Sequence, residues 1–212
     1  MILRPGAKEQ VLVVSSDNNT EMWRRKFPRV FGNDLGKIKG FKHKIKVKEN
    51  AIPVRHKLRS VPLGIRDDLE NELKDLCQKE IIEPIESSLW LSPLVVTRKR
   101  GGQIRVCVDL RSLNKEIWVD SHPLPKISDL FTQTVGAKVF SKLDLASAYH
   151  QVDLHPDSRH YTAFVSPIGT FQYRRMPFGL ASAASVFQRV MQNLLAKVKG
   201  TLVFQDDVLI FA

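Results

Sequence analysis

The 212-residue sequence predicts an α+β fold of antiparallel hairpins with helices packed on them. Two observations carry this. Three pairs of apolar, strand-length runs are joined by short polar or glycine-bearing turns: 94–99 with 103–110, 164–166 with 171–174, and 202–204 with 208–211. Two other stretches, 64–82 and 180–195, repeat apolar residues at three- and four-residue steps, the period of an amphipathic helix. With 43% apolar residues, the chain can bury one core and a small second one.

Residues 1–60 hold 15 Lys/Arg and 5 Asp/Glu, against 18 and 17 in residues 61–212, so nearly all of the net charge of +11 sits in the first 60 residues. This stretch reads as a partly ordered basic arm or linker. It is either a solvated segment or one that attracts phosphate backbones without reading sequence. Within it, residues 11–14 have the composition of a short strand. Residues 41–47 alternate Phe41, His43, Ile45 and Val47 with Lys42, Lys44 and Lys46, the pattern of a half-buried strand. Pro53 and Pro62 bracket an extended link.

Helix 64–82 carries Ile65, Leu69, Leu73 and Leu76 on one stripe, Asp67 and Asp68 near its start, and Pro84 as its stop. The hairpin that follows gathers Arg98, Lys99, Arg100 and Arg105 at or near its tip. Singly, each is a solvated cation; together they suit a triphosphate. Residues 123–134 form a Pro-led helix with Ile127, Leu130 and Phe131. Val139, Phe140, Leu143 and Leu145 predict a buried strand with Asp144 at its end, where a carboxylate is costly to bury unless it is paired. Helix 180–195 offers Val186, Phe187, Val190, Leu194 and Leu195 to the core. Cys77 and Cys107 form no metal-type spacing and no disulfide framework, which points to a reducing compartment. There is no apolar run near 18 residues and no signal-peptide pattern at Met1, so no membrane partner is expected.

The last hairpin carries the chemistry. Its polar tip, Gln205-Asp206-Asp207, sets two carboxylates side by side between apolar arms. Adjacent carboxylates repel unless a cation lies between them, so the arrangement favours a divalent metal. Asp67-Asp68 is the contrast: the same pair inside a charged helix, where acids simply suit the N-terminus. Asp144 also ends an apolar strand. If the strands are neighbours, the three carboxylates meet on one side. Hard oxygen donors with no His or Cys suit Mg2+ or Mn2+, and two such ions can clamp an in-line phosphoryl displacement.

Several runs then line up in order. They include Lys79-Glu80-Ile81-Ile82-Glu83-Pro84, Ser92-Pro93-Leu94-Val95-Val96, Val106-Cys107-Val108-Asp109-Leu110-Arg111, Pro123-Leu124-Pro125-Lys126-Ile127, Phe140-Ser141-Lys142-Leu143-Asp144-Leu145, Ala148-Tyr149-His150-Gln151, Met176-Pro177-Phe178-Gly179-Leu180 and Phe187-Gln188, ending at the Asp206-Asp207 hairpin. Over roughly residues 28–212 the chain resembles the fingers and palm of a reverse transcriptase, of the gypsy type of LTR retrotransposon polyprotein.

The resemblance implies a right-hand polymerase with fingers-like residues 61–137 and a truncated palm at 138–212, the thumb and RNase H regions of the parent polyprotein lying outside the chain. It implies an RNA-directed DNA polymerase, a nucleotidyltransferase that adds deoxynucleotides (dNTPs) to a primer 3′-hydroxyl on an RNA or DNA template, with two Mg2+ or Mn2+ ions. Asp144, Asp206 and Asp207 would be the catalytic, metal-holding carboxylates. Lys99 and Arg105 would contact the triphosphate. Tyr149 would lie under the incoming sugar and disfavour a 2′-hydroxyl, which counts against an RNA-making enzyme. Phe178 and Gly179 would lie beside the nucleotide. Gln188 would be structural or line the template path, and Asp109, Arg111 and Asn114 would brace the fingers. An intracellular location follows, cytoplasmic or within virus-like particles. Two departures stand out: Phe204 where the family usually has Tyr, and Ala184 where it usually has Pro. The alternative is a non-catalytic relic that only binds nucleic acid.

Overall fold

Hydrogen bonding among the described residues defines sixteen helices and strands, and two sheets do most of the organising. The structure, a computed structural model, describes residues 17–28, 30–32, 34–98 and 104–212. The strand expected at 11–14 and the hairpin tip that holds Lys99 and Arg100 lie outside the described residues.

In chain order the elements are α1 (Asp17–Lys26), β1 (Lys42–His43), α2 (Arg66–Gln78), β2 (Ile82–Pro84), β3 (Ser92–Arg98), β4 (Ile104–Val108), α3 (Arg111–Glu116), α4 (Ile127–Thr132), β5 (Phe140–Asp144), β6 (Asp153–Leu154), α5 (Pro156–Arg159), β7 (Phe164–Ser166), β8 (Gly169–Tyr173), α6 (Ala183–Leu195), β9 (Thr201–Phe204) and β10 (Asp207–Phe211). The larger sheet has the order β2-β8-β7-β3-β4, and the smaller β5-β10-β9. All pairings in these two sheets are antiparallel except β3 with β7. No helix among the described residues is long and apolar enough to cross a membrane.

The basic stretch at 35–60 is laid across the body. β1 pairs in parallel with β6, placing Lys42 against Asp153 and His43 against Leu154. The Ile38 N–H donates to the Gln151 carbonyl (2.8 Å) and the Trp118 N–H to the Lys46 carbonyl (2.8 Å). Alternation decides which side chains go in: His43 and Ile45 are buried, while Lys42, Lys44 and Lys46 point to solvent. Asp153, itself buried, ties the stretch down through Lys37 (2.6 Å) and Arg175 (3.2 Å).

Two expectations need correction. First, the helix expected over 64–82 is shorter. A 3-10 turn covers Leu63–Ile65, and α2 ends at Gln78. Glu80 takes a left-handed conformation (φ 53°), its N–H donates to the Cys77 carbonyl (3.0 Å), and the Ile81 N–H donates to the Leu76 carbonyl (2.9 Å). This is a Schellman closure made without glycine. Pro84 is not the stop: it lies in β2, at a sheet edge, where its lack of an N–H costs little.

Second, the strand expected to be buried at 139–145 is exposed along all of β5. β5 is the edge of the smaller sheet, and α6 packs at the opposite edge, on β9. Asp144 therefore bears no burial cost. The larger sheet draws strands from both sides of residue 138. β7 and β8, from beyond residue 138, pair with β3 and β2. The chain runs from the larger sheet into β5, returns to the larger sheet, and only then forms β9 and β10.

The core joins the two sheets. Leu69 and Leu73 of α2, Phe164 of β7, Val186 and Phe187 of α6, and Met176 are almost fully buried in one cluster. α4 contributes little: Ile127 and Phe131 are exposed.

Candidate active site

The acidic hairpin forms where β9 turns into β10. Val203 and Val208 face each other and are buried, and Phe204 opposes Asp207, which leaves Gln205 and Asp206 as the two-residue turn. Gln205 is left-handed (φ 54°), as the first position of a primed hairpin turn requires. Asp207 belongs to the strand, so the polar tip is one residue shorter than the sequence suggests.

Pairing with β5 brings in the third carboxylate. Asp144 lies directly opposite Asp207, Leu143 opposite Val208, and Lys142 opposite Leu209. The Leu145 N–H donates to the Asp206 carbonyl (2.9 Å), so the ladder is extended to the turn itself. Asp144 and Asp207 share one face of the sheet, because residues directly opposite point the same way. Sixty-odd residues of intervening chain are thus closed into a contact between neighbours.

Two like charges placed opposite each other repel. Lys142, two residues before Asp144 and so on the same face, answers this: its Nζ lies 2.9 Å from Asp207 Oδ2. The hydrogen bond that Lys142 donates to Asp207 first, then the charge of Asp207 and those of Asp144 and Asp206, hold the Lys142 ammonium above its ordinary range. The sequence reading passed over Lys142. Its spacing from Asp144 was visible, but its partner follows from the register of β5 on β10.

The hairpin is braced from below by Gln188, fully buried on α6. Its Nε2 donates to the Val203 carbonyl (2.8 Å), and its Oε1 accepts from the Gln205 N–H (2.8 Å). Tyr149, in a 3-10 turn at Ala148–Gln151, packs on Phe178 (ring centroids 5.0 Å apart) and edge-on to Phe187 (5.6 Å). Burial first, then the Asp206 charge, raises the Tyr149 phenol. Just before it Ser147 is left-handed (φ 49°), a strained conformation between Asp144 and Tyr149.

Asn114 joins α3 to the loop that carries Phe178 and Gly179. Its Nδ2 donates to the Gly179 carbonyl (2.8 Å), and its Oδ1 accepts from the Ala181 N–H (2.9 Å). Gly179 is left-handed (φ 84°). Asp109 is gripped by Arg111 through two side-chain hydrogen bonds (2.8 and 2.7 Å) and by Arg59 (2.9 Å). The Arg111 hydrogen bond first, then that of Arg59, hold the Asp109 carboxyl far below the usual carboxylate range. Arg105 lies on the other sheet, exposed on β4 opposite Thr97, and makes no ion pair among the described residues. Lys99 is outside the described residues. The structure therefore brings together Asp144, Asp206, Asp207, Tyr149, Phe178 and Gln188, and does not bring Arg105 onto the carboxylates.

Among the described residues no three metal-ligating side chains are drawn into one cluster. The donor set nonetheless fits a hard divalent cation: exposed carboxylate oxygens, two of them opposite each other, with a lysine ammonium standing in as the positive charge.

The reverse transcriptase (RNA-dependent DNA polymerase) family model matches residues 97–212, more than half of the chain. An uncharacterized protein of Caenorhabditis elegans is 37% identical over 194 residues, 90% of this chain and 15% of that protein. The retrovirus-related Pol polyprotein from transposon gypsy of Drosophila melanogaster is 35% identical over 168 residues, 76% of this chain and 16% of the polyprotein. The chain thus spans less than a fifth of the length of these curated relatives. Among solved structures, the foamy viral protease-reverse transcriptase in complex with an RNA/DNA hybrid superposes with a TM-score of 0.79 at 19% identity, over 91% of this chain and 26% of that one. The same protein in complex with double-stranded DNA gives 0.79 at 20% identity, over 91% and 41%. Sheet order, the opposed acids and these matches agree: the chain belongs to the reverse transcriptase (RNA-dependent DNA polymerase) family.

Proposed function

We propose that the chain is the fingers-and-palm part of an RNA-directed DNA polymerase that adds dNTPs to a primer 3′-hydroxyl on an RNA or DNA template, with release of pyrophosphate. The observation that supports it best is the opposition of Asp144 and Asp207 across β5 and β10, with Asp206 fixed at the adjoining turn by the Leu145 N–H. Asp144, Asp206 and Asp207 would hold two Mg2+ or Mn2+ ions, whose role is to neutralise charge on the attacking and leaving oxygens.

The chain's own residues supply position. Gln188 fixes the hairpin, so the carboxylates stay in place as charge changes around them. Tyr149 is clamped between Phe178 and Phe187, which suits a rigid wall under the sugar of the incoming nucleotide and exclusion of a 2′-hydroxyl. Asn114 sets the 178–181 loop that would flank that nucleotide. Arg105 and Lys99 would reach the triphosphate from the fingers, as exposed cations suited to it. The template-primer as partner is supported by relatives solved with RNA/DNA hybrid and with double-stranded DNA. An intracellular site, where dNTPs and template are found, accords with this chemistry.

Primer extension with Mg2+ on an RNA template tests the reading, using the chain joined to the polypeptide that follows it in its parent polyprotein. Asp206→Asn is expected to remove at least 100-fold of the activity, on the scale of losing one charge-stabilising group. Activity unchanged in Asp206→Asn, or wild-type protein that binds template-primer but never extends it, would leave a nucleic-acid-binding relic instead.

A further inference from the structure

We propose that Lys142 is the resident counter-cation of the acidic site: it holds Asp207 to one side in the ion-free protein, and it sets the divalent-ion concentration at which the site fills. The inference rests on the polymerase reading above for the identity of the carboxylates, and goes beyond it in giving the ammonium a competing role.

Three observations carry it. The register places Asp144, Asp207 and Lys142 on one face of the β5-β10 pair, with Lys142 diagonal to Asp207. A long side chain spans that diagonal, and Lys142 does so with its Nζ 2.9 Å from Asp207 Oδ2. Finally, the three acids are neighbours through the ladder and the turn, yet they do not converge into a metal-ligating group among the described residues. Lys142 takes one Asp207 oxygen that convergence would need.

The consequence follows from charge. Without an ion, the site carries three carboxylates and one ammonium. The ammonium relieves the repulsion across the sheet edge, where nothing else among the described residues pairs with Asp207. An arriving divalent cation must displace the ammonium from Asp207, or bind beside it through Asp144, Asp206 and the remaining Asp207 oxygen, against the charge of the ammonium. Either way Lys142 weakens ion binding. A lysine that only fastened the strand edge would have the opposite effect, because losing it would loosen the site and weaken the ion.

The test is Mn2+ binding to the 212-residue chain, followed by electron paramagnetic resonance of the free ion, for wild type, Lys142→Met, Lys142→Gln, Lys142→Arg and Asp206→Asn. Lys142→Met and Lys142→Gln are expected to bind Mn2+ roughly three- to tenfold more tightly than wild type, the scale of removing one charge from an exposed cluster. Lys142→Arg is expected to stay within about twofold, because it keeps the charge. In ion-free buffer the Met and Gln variants should melt below wild type, and Mn2+ should raise their melting temperature more than it raises that of wild type. Unchanged or weaker Mn2+ binding in both uncharged variants overturns the proposal while wild type still loses its ion in Asp206→Asn. If wild type binds no Mn2+, or Asp206→Asn binds as well as wild type, the carboxylate assignment itself fails, and the role of Lys142 with it.

Discussion

Gln188 and Gln205 are joined through a single half-buried hydrogen bond, the Gln205 N–H to Gln188 Oε1 at 2.8 Å, while the other end of the Gln188 amide holds the Val203 carbonyl. One side chain on α6 therefore satisfies both shoulders of the acidic turn. Gln188→Met keeps the volume and removes both partners. Leaving a half-buried N–H and a buried carbonyl short of partners costs on the order of 2–4 kcal/mol in total. Urea denaturation is expected to show that loss at an unchanged slope, and Asp206→Asn, which leaves the brace intact, is expected to lie close to wild type in the same assay.

Asn114 makes the equivalent brace for the 178–181 loop, with its donor on Gly179 and its acceptor on Ala181. Asn114→Asp keeps the acceptor and loses the donor; Asn114→Ala loses both. The expected order of stability is wild type, then Asp, then Ala, with about 1–2 kcal/mol between the extremes because the site is only half-buried. Limited proteolysis within 178–181 should quicken in the same order. Equal cleavage rates in all three proteins would show that the loop is held by Phe178 packing instead.

Much of this site was legible from local pattern. The arms of the last hairpin are apolar runs on either side of a polar tip, and the structure has β9 and β10 there. The 94–110 and 164–174 hairpins follow the same rule, as does the alternation of 41–47 in burial, although only Lys42–His43 forms a ladder. What escaped the sequence is what depends on partners. Lys142 gains its ion pair from the register of another strand. Apolar Val139, Phe140 and Leu143 suggest burial, but composition says nothing of where a strand falls in its sheet, and β5 falls at the edge. The end of α2 was hidden because Glu80, an ordinary helix former, takes the left-handed position that is usually glycine's.

Gly200, by contrast, holds a left-handed position that no other residue fills cheaply. It joins α6 to β9 at φ 71°, its carbonyl accepts from the Phe211 N–H (2.8 Å), and a Cβ built on it meets the Phe211 carbonyl oxygen at 2.5 Å. Gly200→Ala adds conformational strain of about 1 kcal/mol and forces one backbone off another, so a total on the order of 2–3 kcal/mol is expected. Thermal unfolding checks the size. Because Phe211 ends β10, amide exchange should rise first at 209–211 and least at 203 and 208, nearer the turn.

His43 gives the protein a pH dependence whose sign can be worked out. It is buried where the basic stretch crosses α6, with Nε2 3.1 Å from Ser182 Oγ. Burial lowers its pKa to about 4, Asp120 opposing the shift and Arg189 adding to it. The unfolded chain binds a proton near pH 6.5, where the folded chain does not, so folding releases that proton at mildly acid pH. Stability from this residue is complete above the unfolded value and is lost as pH falls from about 6.5 towards about 4, by on the order of 2–3 kcal/mol. Asp120 and Arg189 form an ion pair of their own at 2.7 Å. His43→Gln, which retains a polar group for Ser182, should be less stable than wild type at pH 7.5 yet lose less on acidification. Unfolding curves at several pH values between 4 and 7.5 decide it. Parallel pH slopes for the two proteins would assign the acid loss to other groups, with His150 next in line, since burial first and Arg175 second lower it to about 4 as well.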